Sequence, residues 1–441
     1  MTTTLLTRRR VSPVALPTLL LGVFLVPISI AGVATALPSI ARDLGSDPVQ
    51  LQWVVNGFNA TFAVFTLVWG VISDHVGYKI TWLIGVTGSI AALLFCAVTP
   101  DLALLDLGRI LAGLFAAAIG TSTPAIISGA YEGVARTRGF ALFGTALGLG
   151  LAIGPSISGG LTAAFGWRGV FVAFAVLIAV SLVLSGFVPA VRHERDPGAK
   201  IIDFRLLRNP RFLSAVLMPV IQAFGYITLL TYLPVALSSV YGLTAGQLAL
   251  VMIGLTLGAL VGPVVGVRLV NSGRGISVHA MFYTSIALML LGNAGMLLIA
   301  AAVPLWVLLI PMALLGLSFG LPLGLIDGAA MAAVPPTSSG SASGLVQFAR
   351  LGSEAIVIGF YAAIISALVA TRVADPRLAQ EVASGLPGHA ADYIPAFVIG
   401  QIAILVAVVL GLIATIVLHR VVRRSERRPG DAPRRVSATL D

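Results

Sequence analysis

The stretch RHERDPGAKIIDFRLLRNPR, residues 192–211, is the longest polar interruption in a chain that is otherwise strongly apolar. Six long apolar segments precede it and six follow it, each bounded by charged residues, Gly or Pro. We number them span 1 to span 12, at residues 14–41, 51–73, 79–99, 102–130, 138–163, 168–191, 211–238, 243–270, 277–303, 305–333, 341–370 and 393–418. A membrane-spanning helix needs about 20 apolar residues. The pattern therefore predicts an all-α membrane protein with twelve transmembrane helices in two six-helix bundles.

The composition excludes most other classes of protein. Of 441 residues 58% are hydrophobic and only 10% are charged, whereas soluble domains carry about 25% charged residues. A transmembrane barrel is excluded because its strands alternate apolar and polar residues. The single cysteine, Cys96, allows no intrachain disulfide, and no phosphate-binding Gly-Lys-Ser/Thr pattern occurs. We therefore expect no enzyme activity, no cofactor and no metal site.

The distribution of basic residues predicts the orientation of the chain. If the N-terminus is cytoplasmic, the inner segments hold 21 of the 27 Lys and Arg residues and the outer segments hold four, and such an excess marks the cytoplasmic side. Both termini are thus predicted in the cytoplasm, for a protein of the cytoplasmic membrane. Nucleic-acid binding is excluded because it needs a basic face on a soluble module. We expect a monomer.

The polar stretch also divides the chain into predicted domains. Residues 1–191 form an N-terminal six-helix bundle, 192–210 a cytoplasmic linker and 211–418 a C-terminal six-helix bundle. Residues 419–441 are rich in Arg with Pro and Gly, which predicts a disordered basic cytoplasmic tail attracted to anionic membrane lipids.

Two equivalent loops suggest an internal repeat. Gly70 and Gly77 flank the loop after span 2, and Gly266 and Gly273 flank the loop after span 8, at an offset of 196 residues for both glycines. A basic residue follows each pair. Two glycines are a weak signal alone, but their equivalent places in the two sets of six are typical of duplicated transporter halves.

The loop GVISDHVGYK, residues 70–79, resembles the signature between the second and third helices of the major facilitator superfamily. The matching positions are Gly70, Asp74, Gly77 and Lys79. The resemblance implies that the glycines allow close helix approach, and that Asp74 is a latch which accepts hydrogen bonds in one conformational state only. The family usually has Arg at the positions of His75 and Tyr78, so we expect a weaker network that is pH-sensitive through His75. An ordinary polar turn is the alternative.

Span 5 contains LGLGLAIGPSISGG, residues 147–160, which resembles the antiporter motif of drug-exporting members. The matching residues are Gly150, Gly154, Pro155 and Gly159, with Ser158 where the family usually has Gly. Further matches are TALPSI at 35–40, LQWVVNGFN at 51–59 and Trp167-Arg168. Together they resemble the drug:proton antiporter branch and imply export by exchange. Generic packing of small residues is the alternative explanation of the glycines.

Charged residues within the spans are candidates for proton coupling, because they are costly to place in a membrane. Arg109, followed by Gly113, resembles the family's span 4 motif, which implies a cavity-facing arginine that tunes proton binding. The alternative is a static pair with Asp106, one turn earlier. The branch commonly has an acid in span 1 about nine residues before the Pro of ALP, but this chain has Ser29 there.

Two more acids lie in the second half of the chain. Asp327, shortly before Pro335, is expected near the cytoplasmic interface. Glu354 lies near the middle of span 11 and is the deepest acid, so our hypothesis makes it the main proton carrier. A static pair with Arg350, four residues earlier on the same helix, is the alternative.

The remaining polar residues suggest a substrate cavity. The candidates are Asn56, Asn59, Gln222, Tyr226, Tyr232 and Gln347. Hydrogen bonds between helices are the alternative role for each. The resemblance implies a secondary transporter that exports hydrophobic or cationic, drug-like small molecules in exchange for protons by alternating access. A proton-coupled symporter that imports a small metabolite is the alternative, and a membrane receptor is disfavoured because no soluble sensory domain is evident.

Overall fold

The structure is a computed structural model that describes residues 11–45, 48–191, 204–243 and 245–426. All twelve predicted spans are helical. Their α-helices are Ala15–Leu44, Pro48–Val76, Tyr78–Val98, Leu102–Ala130, Gly133–Val183 (spans 5 and 6), Pro210–Gln222 and Thr228–Tyr241 (span 7), Ala245–Val270, Val278–Met296, Leu305–Gly320 and Leu323–Ala332 (span 10), Ser339–Ala370 and Ala390–Glu426. A short helix, Pro376–Ala383, joins spans 11 and 12. The predicted fold class is confirmed.

The helices expose apolar surface, as a membrane protein must. Ten helical segments of the described chain are long and apolar enough to cross a bilayer, and Ala15–Ser29 is a shorter apolar helix. Large apolar side chains point outward, among them Phe165 at 72% exposure and Leu250 at 69%. Contiguous exposed apolar surface of this kind is uncommon on soluble monomers. The protein therefore crosses the membrane several times.

Spans 5 and 6 are joined without a loop. Gly166 has φ of 72° and ψ of 174° inside an otherwise continuous helix, and this left-handed value of φ favours glycine. The chain turns at this residue, and span 6 begins with Trp167 and Arg168. These two side chains donate hydrogen bonds to Asp43 at the end of span 1.

The contact at Asp43 fixes the ends of spans 1, 3 and 6 together. Arg168 also donates to the carbonyl of Thr99 at 3.1 Å, and its guanidinium lies 4.2 Å from the centre of the Trp167 ring. The hydrogen bonds from Arg168 and Trp167 lower the pKa of Asp43, which lies beyond the predicted span 14–41. A lowered folded-state pKa contributes stability above the ordinary aspartate range, and this stability is lost as the pH falls through the lowered value.

The two halves meet along a few helices. Span 2 packs against span 11, and span 5 packs against spans 8 and 10. We call the end of the bundle that carries Ala15, Val76 and Ser339 the inner end, and the opposite end the outer end. The inner end is the one predicted to face the cytoplasm.

The two repeated loops have similar backbones at the inner end. Gly77 has φ of 100° and Gly273 has φ of 72°, so both turns use a glycine where other residues would be strained. Gly70 approaches the backbone of span 11, and Gly266 approaches the backbone of span 10. The two turns therefore share a glycine with positive φ, although one residue separates the helices at Gly77 and seven separate them at residues 271–277.

The structure corrects one boundary at the C-terminal end of the chain. Span 12 continues as a helix to Glu426, so residues 419–426 are helical and not disordered. The reason is that the first proline after the span is Pro429, and the intervening Arg and Val residues do not break a helix. Residues 427–441, most of the predicted linker and Arg8 to Arg10 lie outside the described residues.

Gly150 is the closest contact of the span 5 motif with span 1. A Cβ atom on Gly150 would lie 2.5 Å from Pro27 Cγ and 2.7 Å from the Phe24 carbonyl oxygen. Gly159, two turns further on, has no neighbour within 4 Å of the same position. Gly32 of span 1 also lies close to the middle of the motif, because a Cβ atom there would be 3.2 Å from the Gly154 carbonyl oxygen. The motif thus packs spans of the same half together, and the position of Gly159 is open.

We expect Gly150→Leu to lower the melting temperature of the purified protein, because overpacking a filled contact costs about 1–3 kcal/mol. Gly159→Leu is the matched control on the same helix and should leave the melting temperature nearly unchanged. Thermal unfolding in detergent, followed by size-exclusion chromatography, measures both. Equal melting temperatures for the two variants would contradict the close contact.

Candidate functional site

Asp74 joins the two halves at the inner end. Its Oδ1 accepts a hydrogen bond from the Gly340 backbone N–H at 2.8 Å, and its Oδ2 accepts from the backbone N–H and the hydroxyl of Ser341 at 2.8 and 2.5 Å. The carboxylate therefore caps the beginning of span 11 from span 2. Anions are stabilised there by the unpaired N–H groups of the first helical turn.

Tyr78 completes this contact in place of the family's usual arginine. Its hydroxyl is 3.0 Å from Asp74 Oδ1 and 2.9 Å from the carbonyl oxygen of Pro336. His75 does not take part, because its Nδ1 bonds to the Val71 carbonyl of its own helix. The expected role of His75 in this network is thus wrong. Lys79 lies instead beside a cavity lined by Gly129 and Val188.

Small residues let spans 2 and 11 touch through their backbones. A Cβ atom on Gly70 would lie 2.8 Å from the Gly340 carbonyl oxygen, and Gly344 lies equally tight against the carbonyl of Thr66. The sequence run SGSASG at 339–344 is a signal from which this surface could have been predicted. Sequence reasoning missed it because it considered only the Asp74 side of the contact.

Arg109 is fully buried and has no carboxylate partner in the described chain. Its Nε donates to the Val54 carbonyl at 2.7 Å, and its terminal nitrogens donate to the hydroxyl and the carbonyl of Ser29 at 2.9 and 3.2 Å. The guanidinium also lies 4.5 Å from the centre of the Phe58 ring. Arg109 therefore links spans 1, 2 and 4 through neutral groups.

The alternative pairing of Arg109 with Asp106 is wrong. Asp106 is half-buried, and its Oδ1 has no hydrogen-bond partner among the described residues. Both side chains lie on span 4, but the arginine turns toward spans 1 and 2, where three oxygens accept its hydrogen bonds. Ser29, which stands where the branch commonly has an acid, is the side chain that faces Arg109.

Asp327 pairs with Arg350 in the C-terminal half. The Arg350 guanidinium donates to Asp327 Oδ2 at 2.9 Å, across spans 10 and 11. Asp327 is completely buried, so its expected place at the solvated interface is wrong, because span 10 packs its inner part against spans 5, 7 and 11. Arg350 also bonds to Gln347 Oε1.

Glu354 is left without a partner, contrary to the alternative of a static pair with Arg350. No hydrogen bond or ion pair of Glu354 occurs within residues 11–45, 48–191, 204–243 and 245–426. It follows Gln347 by seven residues, which is about two helical turns. The two side chains therefore lie on the same side of span 11. Glu354 is thus an isolated acid on the helix that joins the halves.

The predicted cavity residues divide into two groups. Gln222 and Tyr226 are buried within the C-terminal half, where Gln222 donates to the Phe319 carbonyl at 2.8 Å and the Tyr226 ring stacks on Phe319 at 4.3 Å. Contacts between helices explain these two. Asn56 is exposed beside span 1, and Asn59 keeps its buried Oδ1 without a partner in the described chain.

Tyr232 belongs to an aromatic group that the sequence did not reveal. Its ring lies 4.9 Å from that of Tyr361 on span 11, and its hydroxyl approaches the Ile358 carbonyl at 3.3 Å. The hydroxyls of Tyr361 and Tyr393 are buried and have no hydrogen-bond partner among the described residues. Tyr361 follows Glu354 by seven residues, so the rings and the acid share one side of span 11.

Asp74→Asn is expected to shift the protein toward a state with an open inner end. An amide keeps one acceptor oxygen but turns an NH2 group toward N–H or O–H donors, so charge-assisted hydrogen bonds worth about 1.5–3 kcal/mol are lost. This corresponds to roughly a 10- to 150-fold change in the ratio of states.

Thiol labelling of cysteines introduced at the inner ends of spans 2 and 11 measures the change, because the native Cys96 is buried. Ser341→Ala, which removes one bond and no charge, should give a smaller increase in labelling. An unchanged labelling rate in Asp74→Asn would contradict the latch.

Ser29→Asp should stabilise the protein relative to Ser29→Asn. The new carboxylate would face the buried Arg109, whose charge is balanced only by neutral oxygens, and a hydrogen bond between charged groups contributes about 1.5–3 kcal/mol. Melting temperatures of the two purified variants test this. If Ser29→Asp melts no higher than Ser29→Asn, the neutral oxygens already compensate the arginine.

Comparisons with known proteins agree with this architecture. A family model described as Major Facilitator Superfamily matches residues 19–358. The human organic anion transporter MFSD10 (TETRAN) has a similar fold, with a TM-score of 0.67 at 16% identity, over 93% of this chain and 99% of that one.

Sequence relatives include exporters of antibiotics and drugs. The chain is 25% identical to a probable actinorhodin transporter of Streptomyces coelicolor, over 70% of this chain but only 65% of that protein. It is 24% identical to the multidrug efflux pump LfrA of Mycolicibacterium smegmatis, over 76% of this chain and 77% of the pump. These relatives confirm the resemblance to the drug-exporting branch. The chain belongs to the Major Facilitator Superfamily and is a membrane transporter, not an enzyme.

Proposed function

We propose that this transporter exports hydrophobic or cationic, drug-like small molecules in exchange for protons, by alternating access across the cytoplasmic membrane. The observation that carries the proposal is Glu354, an acid on span 11 with no partner in the described chain. A carboxylate without a partner is costly in a membrane interior, whereas a protonated one is not. Glu354 is therefore suited to bind and release a proton.

The closed inner end supports alternating access. The halves are held there by the bonds of Asp74 and Tyr78 and by backbone contacts at Gly70 and Gly344. Such contacts separate without unfolding either half, because span 1 packs on span 5 within the first half and span 8 packs on span 10 within the second. With the inner end in the cytoplasm, as the basic residues predict, this conformation is closed toward the cytoplasm.

The surroundings of Glu354 suit a cationic substrate. Tyr361 lies further out on the same side of span 11, and the Tyr232 ring of span 7 lies beside it. Aromatic faces attract organic cations by about 0.5–2 kcal/mol each. A proton and a cation would then compete for the same carboxylate, and this competition is what couples export to proton entry. The multidrug efflux pump among the relatives supports the direction of transport.

The arrangement of the chain follows from the same proposal. The bundles 1–191 and 211–418 would rock about the central contact, and the basic C-terminal residues would lie against anionic lipid on the cytoplasmic side. Arg109 would act as a fixed link within the N-terminal half. The protein would work as a monomer, since each chain supplies both halves.

Proteoliposomes with an imposed pH gradient test the proposal, with a lipophilic fluorescent cation as the probe. We expect wild-type protein to drive the cation against its gradient toward the more acidic side. Glu354→Gln should lose this flux and also weaken cation counterflow in the absence of a pH gradient, because the amide, like the protonated acid, offers the cation no negative charge.

Glu381→Gln is the matched control, since Glu381 is exposed on the short helix between spans 11 and 12. It should transport at the wild-type rate. Gradient-driven flux of Glu354→Gln at the wild-type rate would show that Glu354 is not the proton carrier. Flux of the cation toward the less acidic side would show symport instead of export by exchange.

A further inference from the structure

Arg350 lies near two acids of the spans. It donates to Asp327 Oδ2 at 2.9 Å on span 10, and Glu354 follows it by four residues on span 11. Side chains four residues apart are neighbours on a helix surface. Arg350 can therefore reach Glu354 by changing its side-chain rotamer, without movement of the backbone.

The Asp327–Arg350 pair is incompletely bonded. Asp327 Oδ1 and Arg350 Nε are both buried, and neither has a hydrogen-bond partner in the described chain. A buried ion pair is stable only when its remaining donors and acceptors are satisfied. The pair therefore lacks the full set of bonds that would fix it in one arrangement.

The charges near Arg350 allow only one ionised acid at a time. When Arg350 pairs with Asp327, the sum of their charges is zero, and ionised Glu354 would leave one negative charge unpaired within the membrane. When Arg350 pairs with Glu354, the same holds for Asp327. An unpaired charge in the interior costs several kcal/mol or more. The acid that is not paired with Arg350 is therefore protonated.

We propose that Arg350 alternates between Asp327 and Glu354, and that a proton passes from Glu354 to Asp327 as the arginine moves the other way. The O–H bond of Glu354 breaks and an O–H bond forms on Asp327, with water that enters between the parting halves as the carrier. Arg350 stays cationic, and the total charge is unchanged. This inference rests on the proposed proton coupling.

The positions of the acids give the relay a direction. Glu354 is farther than Arg350 from the inner end of span 11, by about 6 Å at 1.5 Å per residue. Asp327 lies five residues before the inner end of its helix at Ala332. Transfer from Glu354 to Asp327 thus moves the proton toward the inner end, which is the direction that export in exchange for protons requires.

Gln347 connects the arginine to the other half. Its Oε1 accepts a hydrogen bond from Arg350, and its Nε2 lies 3.3 Å from where a Cβ atom of Gly120 would be, on span 4. Movement of Arg350 toward Glu354 breaks the bond to Gln347 at the surface between the halves. The position of the proton is therefore linked to the contact that must open.

Other charged and titratable groups on the neighbouring spans are engaged elsewhere or are neutral. Arg109 on span 4 bonds to Ser29 and Val54, and Asp74 on span 2 bonds to the start of span 11. Titratable groups on span 11 and on the helices packed against it also include Asp106, Tyr226, Tyr232, Tyr361 and Tyr393, while Arg211, Arg377, Glu381 and Asp392 lie near helix ends. The tyrosines carry no charge at neutral pH, so Arg350 remains the cation closest in sequence to Glu354.

Infrared difference spectroscopy of the full chain in lipid bilayers tests the relay, because a protonated carboxyl gives a carbonyl band distinct from that of a carboxylate. Wild-type protein should show this band, and Glu354→Gln should lose it, which assigns the band to Glu354. Asp327→Asn should lose it as well, because the freed Arg350 then pairs with Glu354 and ionises it. If Asp327→Asn keeps the Glu354 band at wild-type intensity, Asp327–Arg350 is a static pair and the relay is overturned.

A second measurement leaves Asp327 in place, in case its replacement prevents folding. A hydrophobic carbodiimide modifies protonated carboxyls in membranes, and mass spectrometry locates the adduct. Wild-type protein should be labelled at Glu354. The Asp74→Asn variant, whose inner end is open, should be labelled at Asp327 and should lose the label at Glu354. Undiminished label at Glu354 in both proteins would overturn the relay. Absence of pH-driven flux in wild type, with these spectroscopic results intact, would instead refute the proposed function alone.

Discussion

The membrane interior supplies no water to a charged group, so every charge in the spans must find its partner inside the protein. Arg109 finds neutral oxygens and an aromatic ring, Asp327 finds Arg350, and Asp74 finds N–H and O–H donors. Glu354 finds none in the described chain. The first two solutions hold helices of one half together, and the third holds the two halves together at one end. Asp106 on span 4 also has a buried oxygen without a partner in the described chain, and both exceptions are acids that a proton can neutralise.

Glycine at the surface between the halves makes their contact separable. Gly144 on span 5 and Gly324 on span 10 approach so closely that a Cβ atom on Gly144 would lie 2.6 Å from Gly324 Cα, and Gly70 meets Gly340 in the same way. Such surfaces meet backbone to backbone, with few interlocking side chains. In a bilayer, packing and hydrogen bonds drive helix association, since lipid tails are as apolar as the helices. A few polar bonds at the inner end can therefore decide which state prevails.

The sequence was sufficient for the spans and their order, because apolar length and charge placement are local properties. It was not sufficient for the partners of buried charges. Arg109 and Arg350 each have an acid three or four residues away, and the helix period makes such pairs the natural expectation. Both arginines instead bond to another helix. Periodicity shows which residues share a face, but it does not show which helix that face meets, and for the same reason the sequence did not show that Asp327 is buried.

The two halves use their arginines differently, and the difference follows from one side chain. Ser29 offers Arg109 a hydroxyl and a carbonyl, neither of which gains or loses a proton near neutral pH, so the charge at Arg109 and its partners is fixed. In the C-terminal half one arginine lies between two carboxyls, and the charge there depends on where a proton resides. In duplicated halves related by a two-fold axis, the two arginines would otherwise be expected to have similar partners. The serine leaves the N-terminal half as a rigid support, against which the C-terminal half can respond to a proton.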